Sequence, residues 1–381
     1  MDTNDLYVYV NNKKLRRGHT TGTCAAAAAK AATAAMLSGE PVTSVEILTP
    51  KGILLDLPVE DLVFNDCHAR CAVRKDGGDD IDATNGILVY SEVSKIDSGI
   101  DIDGGLGVGR VTRKGLDQPV GNAAINRVPR SMIKEAVEDV CSNMGYAGGI
   151  SVKVTIPDGE RIAEKTFNPR LGIIGGISVL GTSGIVEPMS ETALIDTIVT
   201  EMNMRAAEGN GTLLVVPGNY GKDFTEGIPG IDADFAVKCS NFIGDMLDNA
   251  VRIGTDVVLV GNLGKLVKLA GGIMNTHSRN ADSRMEILAA DAAMAGADIE
   301  TVREIMGCIS TDDALDVLHA KGLVEPTCRI LMERIEFHMN HRTGGAIRTA
   351  AVMFSSKYGL LGKTSLADEL LDRVREECGC A

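Results

Sequence analysis

The hydrophobic pattern of this chain changes rhythm partway along. In the first part, short alternating segments predict strands at residues 7–10, 67–75, 87–93 and 151–156, since alternation buries one face of a pleated strand. Residues 45–48 and 53–57 alternate around Pro50-Lys51-Gly52 and predict a hairpin. An alanine-rich run predicts a helix over 23–37, stopped at Gly39, because alanine has the best helix propensity and glycine the best terminating geometry. Residues 129–144 predict a second helix, with Gly145 after it. Helices and strands intermix without regular alternation, so this part reads as α+β.

Further on, the strands are continuously apolar and separated by helices. Residues 212–216 run into Pro217-Gly218-Asn219-Tyr220-Gly221, and residues 256–260 run into Gly261-Asn262. Helices are predicted over 235–253, from Gly264 onward, and over 283–295, 299–306, 312–321 and 326–339, with a last strand at 347–355. Buried strands linked by helices predict a parallel sheet. The expected architecture is an α+β N-terminal domain, residues 1–205, followed by an α/β Rossmann-like C-terminal domain with a parallel sheet, residues 206–381. Glu208-Gly209-Asn210-Gly211 marks the break. Ligands of such sheets sit where strand ends meet helix starts. That rule makes Gly218, Asn219, Gly221, Gly261, Asn262 and Gly264 the candidate nucleotide-cofactor residues.

Composition narrows the function classes. At 381 residues the chain suits two domains. The net charge of −14, scarce aromatics and absent Trp argue against nucleic acid as a partner. No apolar run is long enough to span a bilayer, and Met1-Asp2-Thr3-Asn4-Asp5 lacks a signal-peptide pattern, so a cytoplasmic protein is expected. The nine cysteines show no disulfide spacing and read as free thiols, including Cys378 and Cys380. One segment reverses the overall charge. From Gly105 to Lys134, Arg110, Arg113, Lys114, Arg127, Arg130 and Lys134 face a single acid, Asp117. Such a reversal predicts either an anionic small-molecule substrate or a solvated basic loop.

Four motifs are candidates for chemistry. Leu15-Arg16-Arg17-Gly18-His19-Thr20-Thr21-Gly22-Thr23-Cys24 opens the alanine helix. Free N–H groups of a first turn favour an anion, and Arg16, Arg17, Thr20 and Thr21 would hold it or simply cap the helix. Lys75-Asp76-Gly77-Gly78-Asp79-Asp80-Ile81-Asp82 concentrates carboxylates. Asp79 and Asp80 would receive ribose hydroxyls or a cationic ligand centre, although a solvated acidic turn has the same composition. Gly104-Gly105-Leu106-Gly107-Val108-Gly109-Arg110 reads as a flexible loop without dinucleotide spacing. Asn275-Thr276-His277-Ser278-Arg279, with Asp282, supplies the best general-base candidate, His277, since an imidazole titrates near neutrality. Cys67-His68-Ala69-Arg70-Cys71 has no matching partner pair, so no metal site is expected.

These segments together resemble the cobalt-precorrin-5B C-1 methyltransferases of anaerobic cobalamin synthesis, the CbiD family. The matching pieces include Leu15 to Cys24, Asp76 to Thr84, Gly105 to Arg130, Asn168-Pro169-Arg170-Leu171-Gly172 and Gly184-Ile185-Val186-Glu187-Pro188-Met189-Ser190. Lys238-Cys239-Ser240-Asn241-Phe242, Gly264-Lys265-Leu266-Val267-Lys268-Leu269-Ala270 and Asn275 to Ser278 continue the likeness. Ile81 and Gly77 depart from it, where proline and alanine are commoner. The resemblance implies methyl transfer from S-adenosylmethionine to C-1 of cobalt-precorrin-5B, giving cobalt-precorrin-6A, with cobalt arriving in the substrate. It implies that the carboxylates of a polyanionic tetrapyrrole meet Arg16, Arg17, Arg110, Arg113, Arg127, Arg130 and Arg170 in the first domain. The second domain would then hold the methyl donor, and the family context is compatible with a homodimer. The family's catalytic residues are not carried over; His277 and Asp282 stand on the local pattern alone. Two other readings stay open. One is a non-catalytic carrier of corrinoid intermediates, and the other a small-molecule kinase using the glycine- and threonine-rich turn at 17–24.

Overall fold

The computed structural model describes residues 6–10 and 12–378 and divides into two compact units, Met1–Glu191 and Thr192–Ala381. The division falls after the first residue of helix Glu191–Ala207, ahead of the break expected near residue 205. Glycines at 209 and 211 end that helix without separating the units. The N-terminal segment 1–5, and Gly379 and Cys380, lie outside the described residues.

In the first unit a five-stranded sheet runs in the order Glu60–Phe64, His68–Arg74, Leu88–Ile96, Gly149–Thr155, Ile100–Gly104. Neighbours are antiparallel except the last pair, which is parallel. Helix α1, Thr21–Ser38, lies on this sheet, and helix α2, Arg127–Asn143, packs against α1. From Cys24 through Ala29 every residue of α1 is fully buried, as expected of a helix that is apolar all round. Its small side chains let the sheet reach the helix backbone: Ser91 Oγ donates to Ala25 O at 2.8 Å and Cys71 Sγ to Ala28 O at 3.1 Å. Gly39, with φ +71°, terminates the helix as predicted. The predicted hairpin is present as Ser44–Leu48 paired antiparallel with Leu54–Pro58.

The second unit has a mixed sheet in the order Val237–Lys238, Thr212–Val216, Asp256–Asn262, Thr349–Ser355, Gly359–Lys363. The first four strands are parallel. The last is antiparallel to Thr349–Ser355, so the sheet is not parallel throughout as expected. Strand alternation sorts side chains into two cores. Leu213, Val215, Val257 and Leu259 join helices such as Ile243–Ile253 and Val324–Thr343 on one face. Leu214, Val216, Val258 and Val260 join helix Ala367–Cys378 on the other.

The helix expected over 235–253 begins only at Ile243. Ser240 adopts φ +54°, a left-handed conformation that a helix cannot pass through. The short strand Val237–Lys238 takes the residues before it. A second correction concerns Asn219–Glu226, which is a short helix where a glycine loop was expected.

Candidate functional site

Three motifs of the first unit meet at one place. Residues 16–18 cross residues 76–78 backbone against backbone. A Cβ on Gly18 would fall 2.3 Å from Asp76 O, and one on Gly78 2.3 Å from Arg16 O. The acids of the second motif clasp this crossing. Asp76 takes Arg16 Nη1 and Nη2 at 2.5 and 2.8 Å, and Asp79 accepts Arg16 N–H at 2.7 Å. Asp80 accepts the N–H of Met189 at 3.1 Å, while Asp82 pairs with buried Lys75. Asp79 and Asp80 therefore each hold a backbone N–H. The hydrogen bonds from Arg16 keep the Asp76 carboxyl down at about 2. Burial raises Asp82, but the Lys75 ammonium and the hydrogen bonds from Thr84 together outweigh it and its pKa falls.

The start of α1 is closed by the protein itself. Thr20 Oγ1 accepts Thr23 N–H at 3.2 Å, and Gly22 N–H donates to Leu180 O at 3.1 Å. The Thr21 hydroxyl donates to Leu180 O at 3.2 Å and accepts Leu180 N–H at 3.1 Å. Thr20 serves as the N-cap, and Thr21 ties the helix start to Leu180, so both hydroxyls are engaged by the protein. Beside the clasp lies a cleft of about 570 Å³ walled by Arg16, Arg17, His19, Arg74, Lys75 and Asp76. Burial lowers the His19 pKa, which leaves a neutral imidazole among cations. Its Nε2 lies 3.1 Å from Arg74 O and 3.3 Å from Asp76 N. Arg17 pairs with Glu187 at 3.0 Å.

The basic segment is divided in its use. Arg110 grips Asp103 at 2.7 and 2.8 Å and also donates to Gly104 O. Arg130 donates to Ile125 O and Ile102 O at 2.9 and 2.7 Å. Arg130 thereby ties the strand Ile100–Gly104 to the start of α2, and Arg110 ties the end of that strand to the short strand Arg110–Val111. Arg113 packs on Gly172, where a Cβ would meet its Cγ at 2.5 Å. Among the described residues, Lys114 and Arg127 have no acid within 4.0 Å of their side chains, and both are exposed. Arg170, half-buried, precedes the turn at Gly172, φ +70°. The glycine run 104–109 is not a flexible loop. A Cβ on Gly107 would lie 1.8 Å from Ile156 O, and one on Gly176 2.1 Å from Gly107 O, so the glycines permit backbone contact.

In the second unit the parallel strands end together in a polar cluster. Strand Thr212–Val216 has Val237–Lys238 on one side and Asp256–Asn262 on the other. The chain order reverses there, and the crevice between Gly218 and Gly261 lies at that reversal. No atom comes within 4 Å of where a Gly218 Cβ would be, so backbone there is open to a ligand. Gly221 and Gly261 instead admit Val260 O and Leu266 closely. Asn262 caps the next helix, accepting Gly264 N–H at 2.9 Å. Lys238 Nζ donates to Asn219 Oδ1 at 2.9 Å, and Lys265 Nζ donates to Asn241 Oδ1 at 2.8 Å. Burial lowers the Lys265 pKa and pushes the neighbouring Cys239 thiol up to about 12. Ser355 donates to Asp312 at 2.8 Å at the end of the next strand.

His277 is exposed on the loop after this cluster. Its Nδ1 accepts the Arg279 N–H at 3.1 Å. Asp282 is held by Arg284 at 2.5 and 3.0 Å. Buried Lys268 secures the loop from beneath, donating to Thr276 O and Ala281 O at 3.1 and 2.7 Å. The pair His277 and Asp282 thus forms no acid–base unit.

His19, Lys238 and Asn241 were not singled out from the sequence, and Lys265 entered only as the end of the stretch 261–265 expected on the nucleotide side. His19 and Lys265 lie beside arginines and glycines chosen instead, and Lys238 and Asn241 lie in the segment 238–242, which was noted only for its resemblance. Among the described residues there is no group of three or more His, Cys, Asp or Glu arranged to hold a metal. None of the helices formed by those residues is long and apolar enough to cross a membrane.

Comparison with known proteins gives these motifs a common setting. The CbiD family model matches residues 8–188, and that of the CbiD C-terminal domain residues 275–365. The cobalt-precorrin-5B C(1)-methyltransferase of Ruminiclostridium cellulolyticum is 48% identical over 97% of this chain and 94% of its own length. The protein of the same name from Thermoanaerobacter sp. is 45% identical over 94% of this chain and 98% of its own. A solved structure of the cobalamin biosynthesis protein (cbiD) from Archaeoglobus fulgidus is 30% identical, covers 73% of this chain and 88% of that chain, and superposes with a TM-score of 0.40. The sequence likeness runs almost end to end through both units, and the chain belongs to the CbiD family.

Proposed function

We propose that this protein methylates C-1 of cobalt-precorrin-5B, with S-adenosylmethionine as donor. The observation that carries the reading is near-full-length identity to enzymes bearing that name. When bound, S-adenosylmethionine would supply an electrophilic methyl for the ring carbon, with S-adenosylhomocysteine, a neutral thioether, as the leaving group. Such a transfer depends on orientation and exclusion of water more than on a strong acid or base.

We read the second unit as Rossmann-like and place the donor at its chain reversal. Support comes from the open backbone at Gly218 and the helix start capped by Asn262. Lys238 and Lys265 suit the carboxylate end of the donor, and Asp312 is the acid suited to ribose hydroxyls. This assignment replaces Asp79 and Asp80, whose oxygens hold backbone N–H groups of the first unit. The macrocycle's carboxylates are assigned to the first unit. Exposed Lys114 and Arg127 offer direct charge, and Arg16 at the cleft offers guanidinium hydrogens beyond those that hold Asp76. A guanidinium carries five donors and can serve two carboxylates.

The test is turnover of cobalt-precorrin-5B with methyl-labelled S-adenosylmethionine, followed by mass spectrometry. One labelled methyl in the corrinoid and equimolar S-adenosylhomocysteine are expected. Corrinoid binding without label transfer would leave a carrier, and ATP consumption in the control would favour a kinase.

A further inference from the structure

Two lysines at the strand ends of the second unit are held by amides instead of acids. Lys265 Nζ donates to Asn241 Oδ1 at 2.8 Å and to Ser240 O at 3.4 Å, and Lys238 Nζ donates to Asn219 Oδ1 at 2.9 Å. Among the described residues neither has a carboxylate within 4.0 Å, whereas Lys51, Lys75, Lys357 and Lys363 each do. Lys265 is also the third residue of helix Leu263–Ala270. The dipole at that end of a helix disfavours a cation. The charged group facing it from its own helix is Lys268, and from the adjoining loop it meets the Cys239 thiol. A half-buried ammonium so placed lacks a counter-charge, and an anionic ligand would supply one.

Its position says which anion. Lys265 follows strand Asp256–Asn262 but bonds to Ser240 and Asn241, which follow strand Val237–Lys238. Strand Thr212–Val216 lies between those two in the sheet, so the side chain bridges the end of that strand at the chain reversal. Lys268 differs, being wholly buried with two carbonyls and Asp282 as partners.

We propose that Lys265 binds the α-carboxylate of the methyl donor, with Lys238 adding positive charge at the same edge. This rests on the donor site assigned above. The test compares S-adenosylhomocysteine with 5′-methylthioadenosine, which lacks the amino-acid end, by titration calorimetry on full-length protein. Wild type binds the former more tightly. Lys265→Met weakens S-adenosylhomocysteine about 10- to 100-fold, the range of one charge-assisted hydrogen bond, and leaves 5′-methylthioadenosine unchanged. Lys265→Arg keeps most of the preference, and thermal unfolding without ligand shows that each variant is folded. Equal weakening of both ligands, or no weakening, overturns the proposal. So does weakened cobalt-precorrin binding with S-adenosylhomocysteine intact, which would give the lysine to the macrocycle. Wild type that binds neither nucleoside would overturn the donor site itself, and is distinguishable because it needs no variant.

Discussion

Asp76 shows how much of the first unit's charge works on its own backbone. It takes two hydrogen bonds from Arg16, and a third from Gly78 N–H at 2.8 Å. Arg16 and Asp76 are 43% and 42% exposed, so solvent screens the pair and its contribution is about 0.2–1 kcal/mol. Its pH dependence has a definite sign. The folded pKa of about 2 lies below the ordinary 3.8. The pair therefore stabilises fully above the ordinary value and fades as pH falls through about 2. In Asp76→Asn that component is missing, so its thermal midpoint should fall less steeply than wild type over that acid range. Parallel curves would show that the clasp stands without the charge.

At the scale of the element, α1 depends on smallness more than on hydrophobicity. Ala25, Ala26, Ala27, Ala28 and Ala29 have no exposed surface, and Cys71 reaches the carbonyl of Ala28 directly. Three added heavy atoms at Ala28 would have to push sheet and helix apart. Ala28→Leu should destabilise the first unit by about 1–3 kcal/mol, the usual range for overpacking, read as a shift in denaturation midpoint. An unchanged midpoint would mean that this layer is loosely packed. The position of this helix was legible in the alanine run, and the hairpin at Pro50-Lys51-Gly52 in its alternation. The helix start at Ile243 was not legible, because a backbone angle at Ser240 overrides an otherwise periodic pattern.

For the whole molecule, each unit carries its own core. A ligand that binds one folded unit stabilises that unit by about 2.7 kcal/mol at a hundred times its dissociation constant. S-adenosylhomocysteine should therefore raise the unfolding midpoint of the second unit. Hydrogen exchange would locate the effect, with protection expected at strands Thr212–Val216 and Asp256–Asn262. Protection confined to the first unit would reverse the division of labour proposed here.

Motif order and hydrophobic period are properties of the chain, so the family, the mixed architecture and the strand ends at Gly218 and Gly261 were determined by sequence alone. Which charges remain for a ligand is a property of distance. Asp79 and Asp80 are engaged because Arg16 N–H and Met189 N–H fall within hydrogen-bond reach. Arg110 and Arg130 are engaged because Asp103 and three carbonyls lie beside them. Lys265, by contrast, meets only neutral acceptors. A charged residue looks the same in sequence whether its partner is another part of the protein or a substrate. Tertiary structure separates the two, because only folding brings residues distant along the chain into hydrogen-bond range.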